Sequence, residues 1–91
     1  MEKEIECTIY GNVQGVGLRV FIRDRANDLG VSGVVRNNPD GTVEVLAQGE
    51  EDKLQEFIQF LKKGPFFAKV RDVDVEWFDK PQDTFAGFSI E

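Results

Sequence analysis

Residues 5–30 read IECTIYGNVQGVGLRVFIRDRANDLG. Apolar and polar side chains alternate at the start of this stretch, which predicts a half-buried strand over about residues 3–11. A glycine-rich loop follows at 11–17, and apolar residues then recur at spacings of three and four. That spacing predicts a helix ended by Gly30, a residue suited to left-handed backbone. The apolar positions of the helix are Leu18, Phe21, Ile22, Ala26 and Leu29. The stretch is therefore typical of the first half of a β-α-β unit.

The rest of the chain adds four strands and a second helix. Its apolar patterns and turn residues predict a strand, a turn, a strand, a second helix and two more strands. These elements span residues 31–37, 38–41, 42–48, 50–63, 70 or 71 to 78, and 86–90. The order βαββαβ with a short fifth strand predicts an α+β fold, the ferredoxin-like sandwich, with two helices on one face of an antiparallel or mixed sheet. We expect one domain over residues 1–91, since this length supports a single core.

Composition excludes several classes of protein and of chemistry. The 91 residues carry 11 basic and 17 acidic side chains, a net charge of −6, which argues against nucleic acid as a partner. The absence of histidine excludes Ser-His-Asp catalysis and histidine-ligated metals. No apolar run is long enough to cross a membrane, and the acidic start does not resemble a signal peptide. A single cysteine fits a reducing compartment, so we expect a cytoplasmic protein.

The predicted topology brings polar residues of several elements to one edge of the sheet. In a split β-α-β fold the first two strands are parallel, so the 11–17 loop and Asn37 lie at the same edge, beside Thr42. Residues 11–42 hold four arginines and three aspartates, a charge of +1, while the remainder carries −7. Arg19 stands at a helix N-terminus, which favours an anion and disfavours a cation. An anion bound there would explain Arg19.

Simpler interpretations of these residues remain open. The glycines of the loop are also expected in any tight turn between a strand and a helix, with Arg19 solvated. Asn37 precedes the turn sequence Asn38-Pro39-Asp40-Gly41, and could cap the hairpin. Thr42 could be an ordinary strand residue.

Two runs of residues resemble the signatures of the acylphosphatase family. The first is Gly11-Asn12-Val13-Gln14-Gly15-Val16-Gly17-Leu18-Arg19, and the second is Gly33-Val34-Val35-Arg36-Asn37, followed by Gly41-Thr42-Val43 and Gly49. The segments Lys63-Gly64-Pro65 and Gly87-Phe88 are similar to the family as well. The resemblance implies an enzyme that hydrolyses an acyl phosphate to a carboxylate and inorganic phosphate.

The resemblance also implies roles for single residues. Arg19 would bind the phosphoryl group, and Asn37 would orient the attacking water. Thr42 is a candidate supporting residue because the topology places it at the same edge. Backbone N–H groups of the loop would complete the phosphate site, at Val13, Gln14, Gly15, Val16, Gly17 and Leu18. The family works without a metal or cofactor. The implied partners are an acyl phosphate and inorganic phosphate, with no nucleic acid and no membrane, and we expect a monomer.

The chain departs from the family signatures at two positions. Leu18 stands where the family has Phe or Met, and Val34 stands where it has an aromatic residue. Both replacements are apolar and smaller, so they bear on packing more than on chemistry. The alternative function is a non-catalytic anion-binding or regulatory module, similar to the acylphosphatase-like domain of larger carbamoyl-transfer proteins.

Overall fold

The computed structural model describes residues 1–15 and 17–91. Within them the chain forms five strands and two helices, in the order that the sequence predicts. They are β1 Glu2–Asn12, α1 Leu18–Leu29, β2 Ser32–Asn37, β3 Val43–Glu50, α2 Glu51–Lys63, β4 Lys69–Phe78 and β5 Phe88–Ile90. Neither helix is long and apolar enough to span a membrane, as far as the described residues go.

The sheet has the strand order β4-β1-β3-β2-β5. The strand β3 lies between β1 and β2 and is antiparallel to both, whereas β5 pairs with β2 in parallel. This arrangement confirms the predicted ferredoxin-like sandwich, and the parallel pairing of β5 makes the sheet mixed. The C-terminal ends of β1 and β2 therefore share one edge, two strand spacings or about 10 Å apart.

The core lies between the sheet and both helices. Alternate residues of β1 and β3 face it because side chains of a strand point to opposite faces in turn. They are Ile5, Cys7, Ile9, Val43, Val45 and Ala47, and Ile22, Ala26, Leu54, Phe57 and Leu61 meet them from the helices. Burial raises the pKa of the Cys7 thiol to about 12, so it stays protonated at neutral pH.

Every strand differs from the prediction at one boundary or more: the strands begin at Glu2, Ser32, Val43, Lys69 and Phe88, and β1 and β3 also end later than predicted. The strand β1 continues to Asn12, through a bulge at Tyr10 and Gly11, because β4 supplies partners to that end. Gly11 has φ +133°, and a Cβ there would overlap the carbonyl oxygen of Lys69. The strand β3 continues past Gly49 to Glu50, which pairs with Glu2 of β1. In both cases, pairing with a neighbouring strand continues the strand past the residue at which the sequence pattern ends it.

A buried carboxylate holds the segment that leads to β5. Glu4 is 3% exposed, and its Oε1 accepts hydrogen bonds from Gln48 Nε2 at 2.8 Å and from the Gln82 N–H at 3.0 Å. Gln48 Nε2 also donates to the main-chain oxygen of Asp83. These bonds anchor the 79–87 segment, which joins β4 at one edge of the sheet to β5 at the other. The anchored segment thereby brings Ile90 beside β2.

Candidate active site

A cavity of about 100 Å³ lies where β1 and β2 end. The loop after β1, the first turn of α1 and the ends of β2 and β5 all contribute to its wall. The lining residues are Val13, Gly15, Gly17, Leu18, Arg19, Val20, Asn37 and Ile90. Six of these eight are residues that the sequence assigned to the site, and Val20 and Ile90 are additional. The fold therefore brings Arg19 and Asn37, 18 positions apart in sequence, to one concave surface.

The loop reaches the helix through a left-handed residue. Gly17 is the N-cap of α1 with φ +79°, a conformation that glycine adopts without strain. No described side chain caps the helix, and its first turn contains no acidic residue. The first N–H groups of a helix have no partner within the helix, so an uncapped end presents donors to an anion. Val16, which the sequence placed in this loop, lies outside the described residues.

Arg19 occupies the first turn of α1 and is half-buried. Its Nη1 donates a hydrogen bond to the main-chain oxygen of Glu91 at 2.7 Å. Glu91 follows β5, and its N–H in turn donates to the oxygen of Val35 on β2. The guanidinium is thus held at the cavity wall by the residue that follows β5. The sequence did not predict this contact. A guanidinium carries five N–H donors in a planar fork, so this single bond leaves others to bind an anion.

Asn37 ends β2, where its backbone pairs with Val43. Its side chain is exposed, and its carboxamide has no hydrogen-bond partner among residues 1–15 and 17–91. The hairpin that follows is held instead by Asn38, Asp40 and Thr42. The carboxamide of Asn37 is therefore available to a ligand in the cavity, and the interpretation of Asn37 as the hairpin cap is wrong.

Three side-chain groups hold the turn from Asn38 to Thr42. Asn38 Nδ2 donates to Thr42 Oγ1 at 3.0 Å, and Thr42 Oγ1 donates to Asp40 Oδ1 at 2.6 Å. The Thr42 N–H donates to the same Asp40 oxygen at 3.0 Å. These bonds, that of the Thr42 hydroxyl first, lower the pKa of the Asp40 carboxyl. Thr42 thus shapes the turn beside the cavity, and it precedes β3 rather than belonging to it.

Gln14 joins the loop to this turn. Its Nε2 donates to the main-chain oxygens of Asn38 and Thr42, at 2.7 and 2.8 Å. Both oxygens come from the β2–β3 hairpin, so one amide sets the position of the loop relative to the strand that carries Asn37. The sequence placed Gln14 in the phosphate loop but carried no signal for this contact, because its two acceptors lie 24 and 28 residues away.

We expect Gln14→Ala to lower the free energy of unfolding by about 1–2 kcal/mol, since two hydrogen bonds are lost while each carbonyl oxygen keeps a main-chain donor, the N–H of Gly41 or of Asn38. Urea unfolding followed by circular dichroism measures this change. The matched control is Gln55→Ala, on the exposed face of α2, which should change the free energy by less than about 0.5 kcal/mol. Equal effects of the two substitutions would contradict the joining role of Gln14.

The described residues contain no cluster of three or more potential metal ligands from histidine, cysteine and carboxylates. The groups that line the cavity are instead a guanidinium, a carboxamide, backbone amides and aliphatic side chains. A cationic fork and N–H donors are the groups that bind phosphoryl oxygens.

Comparison with known proteins places the chain in a family. The sequence model of acylphosphatases matches residues 5–90. The chain belongs to the acylphosphatase family. The acylphosphatase of Salinibacter ruber is 46% identical over 89 residues, which cover 98% of this chain and 93% of that protein. The acylphosphatase of Thermus thermophilus is 48% identical over 69 residues, covering 76% of this chain and 78% of the relative.

Two solved structures share the fold over nearly the whole chain. The crystal structure of acylphosphatase from Bacillus subtilis superposes with a TM-score of 0.92 at 37% identity, covering 98% of both chains. Full-length HypF, crystallised in a phosphate- and nucleotide-bound form, matches with a TM-score of 0.88 at 26% identity. That match covers 100% of this chain but 12% of HypF. The same fold therefore occurs both in acylphosphatases of this size and within a larger protein.

Proposed function

We propose that this chain is an acylphosphatase that hydrolyses the carboxyl–phosphate bond of acyl phosphates to a carboxylate and inorganic phosphate. The observation that carries the proposal is the meeting of Arg19 and Asn37 in one cavity at the N-terminus of α1, which no described side chain caps. Arg19 and the backbone N–H groups of residues 13–18 bind the phosphoryl oxygens. Asn37 orients the attacking water, and Gln14 and Thr42 hold the loop and the turn in place.

This short set of groups suffices for the reaction. Water attacks phosphorus, the bond between phosphorus and the acyl oxygen breaks, and the electron pair leaves with the carboxylate. A carboxylate is a good leaving group, so no strong general acid is needed, and the proton of the water passes to a phosphoryl oxygen. Phosphoryl transfer has a loose transition state that depends on positioning and charge stabilisation, which Arg19 and the amides supply.

Benzoyl phosphate hydrolysis by the unaltered protein, with and without EDTA, tests the reaction class. We expect release of benzoate and phosphate at the same rate in both samples, because the proposed site uses side-chain and backbone donors instead of a metal. A rate equal to that of the buffer would contradict the proposal. If EDTA abolished hydrolysis and a divalent cation restored it, the protein would still be an acylphosphatase, but the metal-free mechanism would be wrong.

The second candidate is a non-catalytic module that binds an anion. The match to a small part of HypF, which was crystallised with phosphate and nucleotide, supports it, since this fold also occurs within a larger protein. Calorimetry with inorganic phosphate, alongside the same assay, separates the candidates. Binding without turnover favours the module, whereas binding with turnover favours the enzyme.

We also propose that the protein acts as a monomer formed by one domain over residues 1–91, since Arg19 and Asn37 of a single chain meet in the cavity. The single cysteine, buried as a thiol, fits the reducing cytoplasm as its location.

A further inference from the structure

Two aliphatic side chains at the cavity have no part in the proposed reaction. Val20 follows Arg19 in the first turn of α1 and is 46% exposed, whereas its neighbours Leu18 and Ile22 are buried. Ile90, on β5, is half-buried, and both side chains line the cavity. Together they form an apolar rim, which we define as Val20 and Ile90.

The size of the cavity makes the rim relevant to the substrate. Pockets that enclose drug-sized ligands measure about 300–1,000 Å³, whereas this cavity measures about 100 Å³. It has room for the phosphoryl group, so the acyl group must extend across the rim.

The direction of the reaction indicates which part of the rim the acyl group meets. In an in-line displacement the leaving oxygen lies opposite the attacking water. The water is assigned to Asn37 on β2, so the acyl oxygen departs away from that strand end. Ile90 pairs with Val35 of β2 and so lies on the side of the attacking water, whereas Val20 lies on α1 and offers an apolar side chain to the departing acyl group.

We propose that Val20 forms the subsite for the acyl group, and that this subsite favours acyl phosphates with apolar acyl groups. The inference rests on the proposed acylphosphatase activity and adds its substrate class. Val20 acts on specificity through contact with the acyl group, and leaves the binding of the phosphoryl group to Arg19 and the loop.

The test compares benzoyl phosphate with acetyl phosphate, whose acyl groups differ in apolar surface. Val20→Thr keeps the branched shape and replaces a methyl group with a hydroxyl. We expect it to lower the ratio of kcat/KM for benzoyl phosphate to that for acetyl phosphate about five- to tenfold relative to the unaltered protein. Inhibition by inorganic phosphate should not change, because phosphate has no acyl group. The matched control is Phe66→Ser, a fully exposed apolar residue that does not line the cavity, which should leave the ratio unchanged.

The outcomes separate this inference from the activity on which it rests. If the unaltered protein hydrolyses both substrates and Val20→Thr leaves their ratio unchanged, the subsite is wrong and the acylphosphatase activity stands. A parallel loss for both substrates with weaker phosphate inhibition would also overturn the subsite, since it would place Val20 in phosphate binding. If the unaltered protein hydrolyses neither substrate, the proposed function fails and the subsite with it.

Discussion

Replacing Arg19 with glutamine is expected to lower kcat/KM for benzoyl phosphate by about 10³-fold or more. The guanidinium supplies both positive charge and several N–H donors to the phosphoryl oxygens, whereas glutamine supplies two donors and no charge. Loss of one well-placed donor in a comparable site lowers the rate about 10²- to 10³-fold, and an arginine at a transferring phosphoryl group contributes about 10³- to 10⁵-fold. Steady-state kinetics with benzoyl phosphate measures the effect.

The matched control is Arg23→Gln. Arg23 lies one turn later on the same helix and pairs with the adjacent Asp24, with 3.1 Å between Nη2 and Oδ1. It does not line the cavity, so its replacement should leave kcat/KM within about twofold, since exposed ion pairs of this kind contribute little. The comparison distinguishes the effect of losing the arginine at the cavity from the effect of losing any one positive charge.

Folding must be verified because Arg19 also contacts Glu91. Loss of that hydrogen bond should lower the free energy of unfolding by about 1 kcal/mol, too little to unfold the chain. Circular dichroism and a urea titration test this point. A folded Arg19→Gln variant that retains a tenth or more of the activity would refute the assignment of phosphate binding to Arg19.

Asn37→Ala is expected to lower kcat for benzoyl phosphate about 10²-fold or more, with KM unchanged within about threefold. The carboxamide is assigned to the attacking water, so its contribution appears in the transition state more than in substrate binding. The fold should be unaffected, since the side chain is exposed and its amide bonds to no other described residue. A change in KM alone would refute the role of Asn37, because it would indicate uniform binding of the substrate.

Asn38→Ala is the control for this position. Asn38 is the next residue and also an asparagine, but its Nδ2 is bonded to Thr42 Oγ1. Its replacement should lower the free energy of unfolding by about 1 kcal/mol and reduce kcat much less than Asn37→Ala does. The two variants therefore separate a group presented to the substrate from a group that holds the turn. Equal losses of kcat in both would indicate that Asn37 acts through the turn.

Most of the fold was predictable because its signals are local. Alternation along β1 and the three-and-four spacing in α1 follow from which side chains must face the core, and Gly30 ends α1 as predicted. The order βαββαβ then restricts the topology to few possibilities, and the predicted sandwich is confirmed. The strand ends were less accurate, because β1 and β3 extend as far as neighbouring strands offer hydrogen-bond partners.

The candidate site was also predictable in part. The meeting of Arg19 and Asn37 was predictable, since parallel strands of a split β-α-β fold end at one edge whatever their side chains. The family resemblance, now confirmed, rests on contiguous runs of residues and was equally accessible. The hydrogen bonds of Gln14 were not predictable, because a polar residue in a glycine-rich loop can point in several directions until a hairpin is packed beside it.

By itself the sequence determined the element order, the family and the two side chains to which the chemistry is assigned. Each depends on residue type and spacing within short segments, where sterics and burial act locally. Tertiary structure alone decided that β5 holds Arg19 through Glu91, that Gln14 ties the loop to the hairpin, and that Val20 and Ile90 border the cavity. The contacts of Arg19 and Gln14 join residues that lie 24 to 72 positions apart in the sequence. Val20 of α1 and Ile90 of β5 come together in one cavity wall. They depend on the distances and orientations that packing sets, which spacing along the chain does not encode.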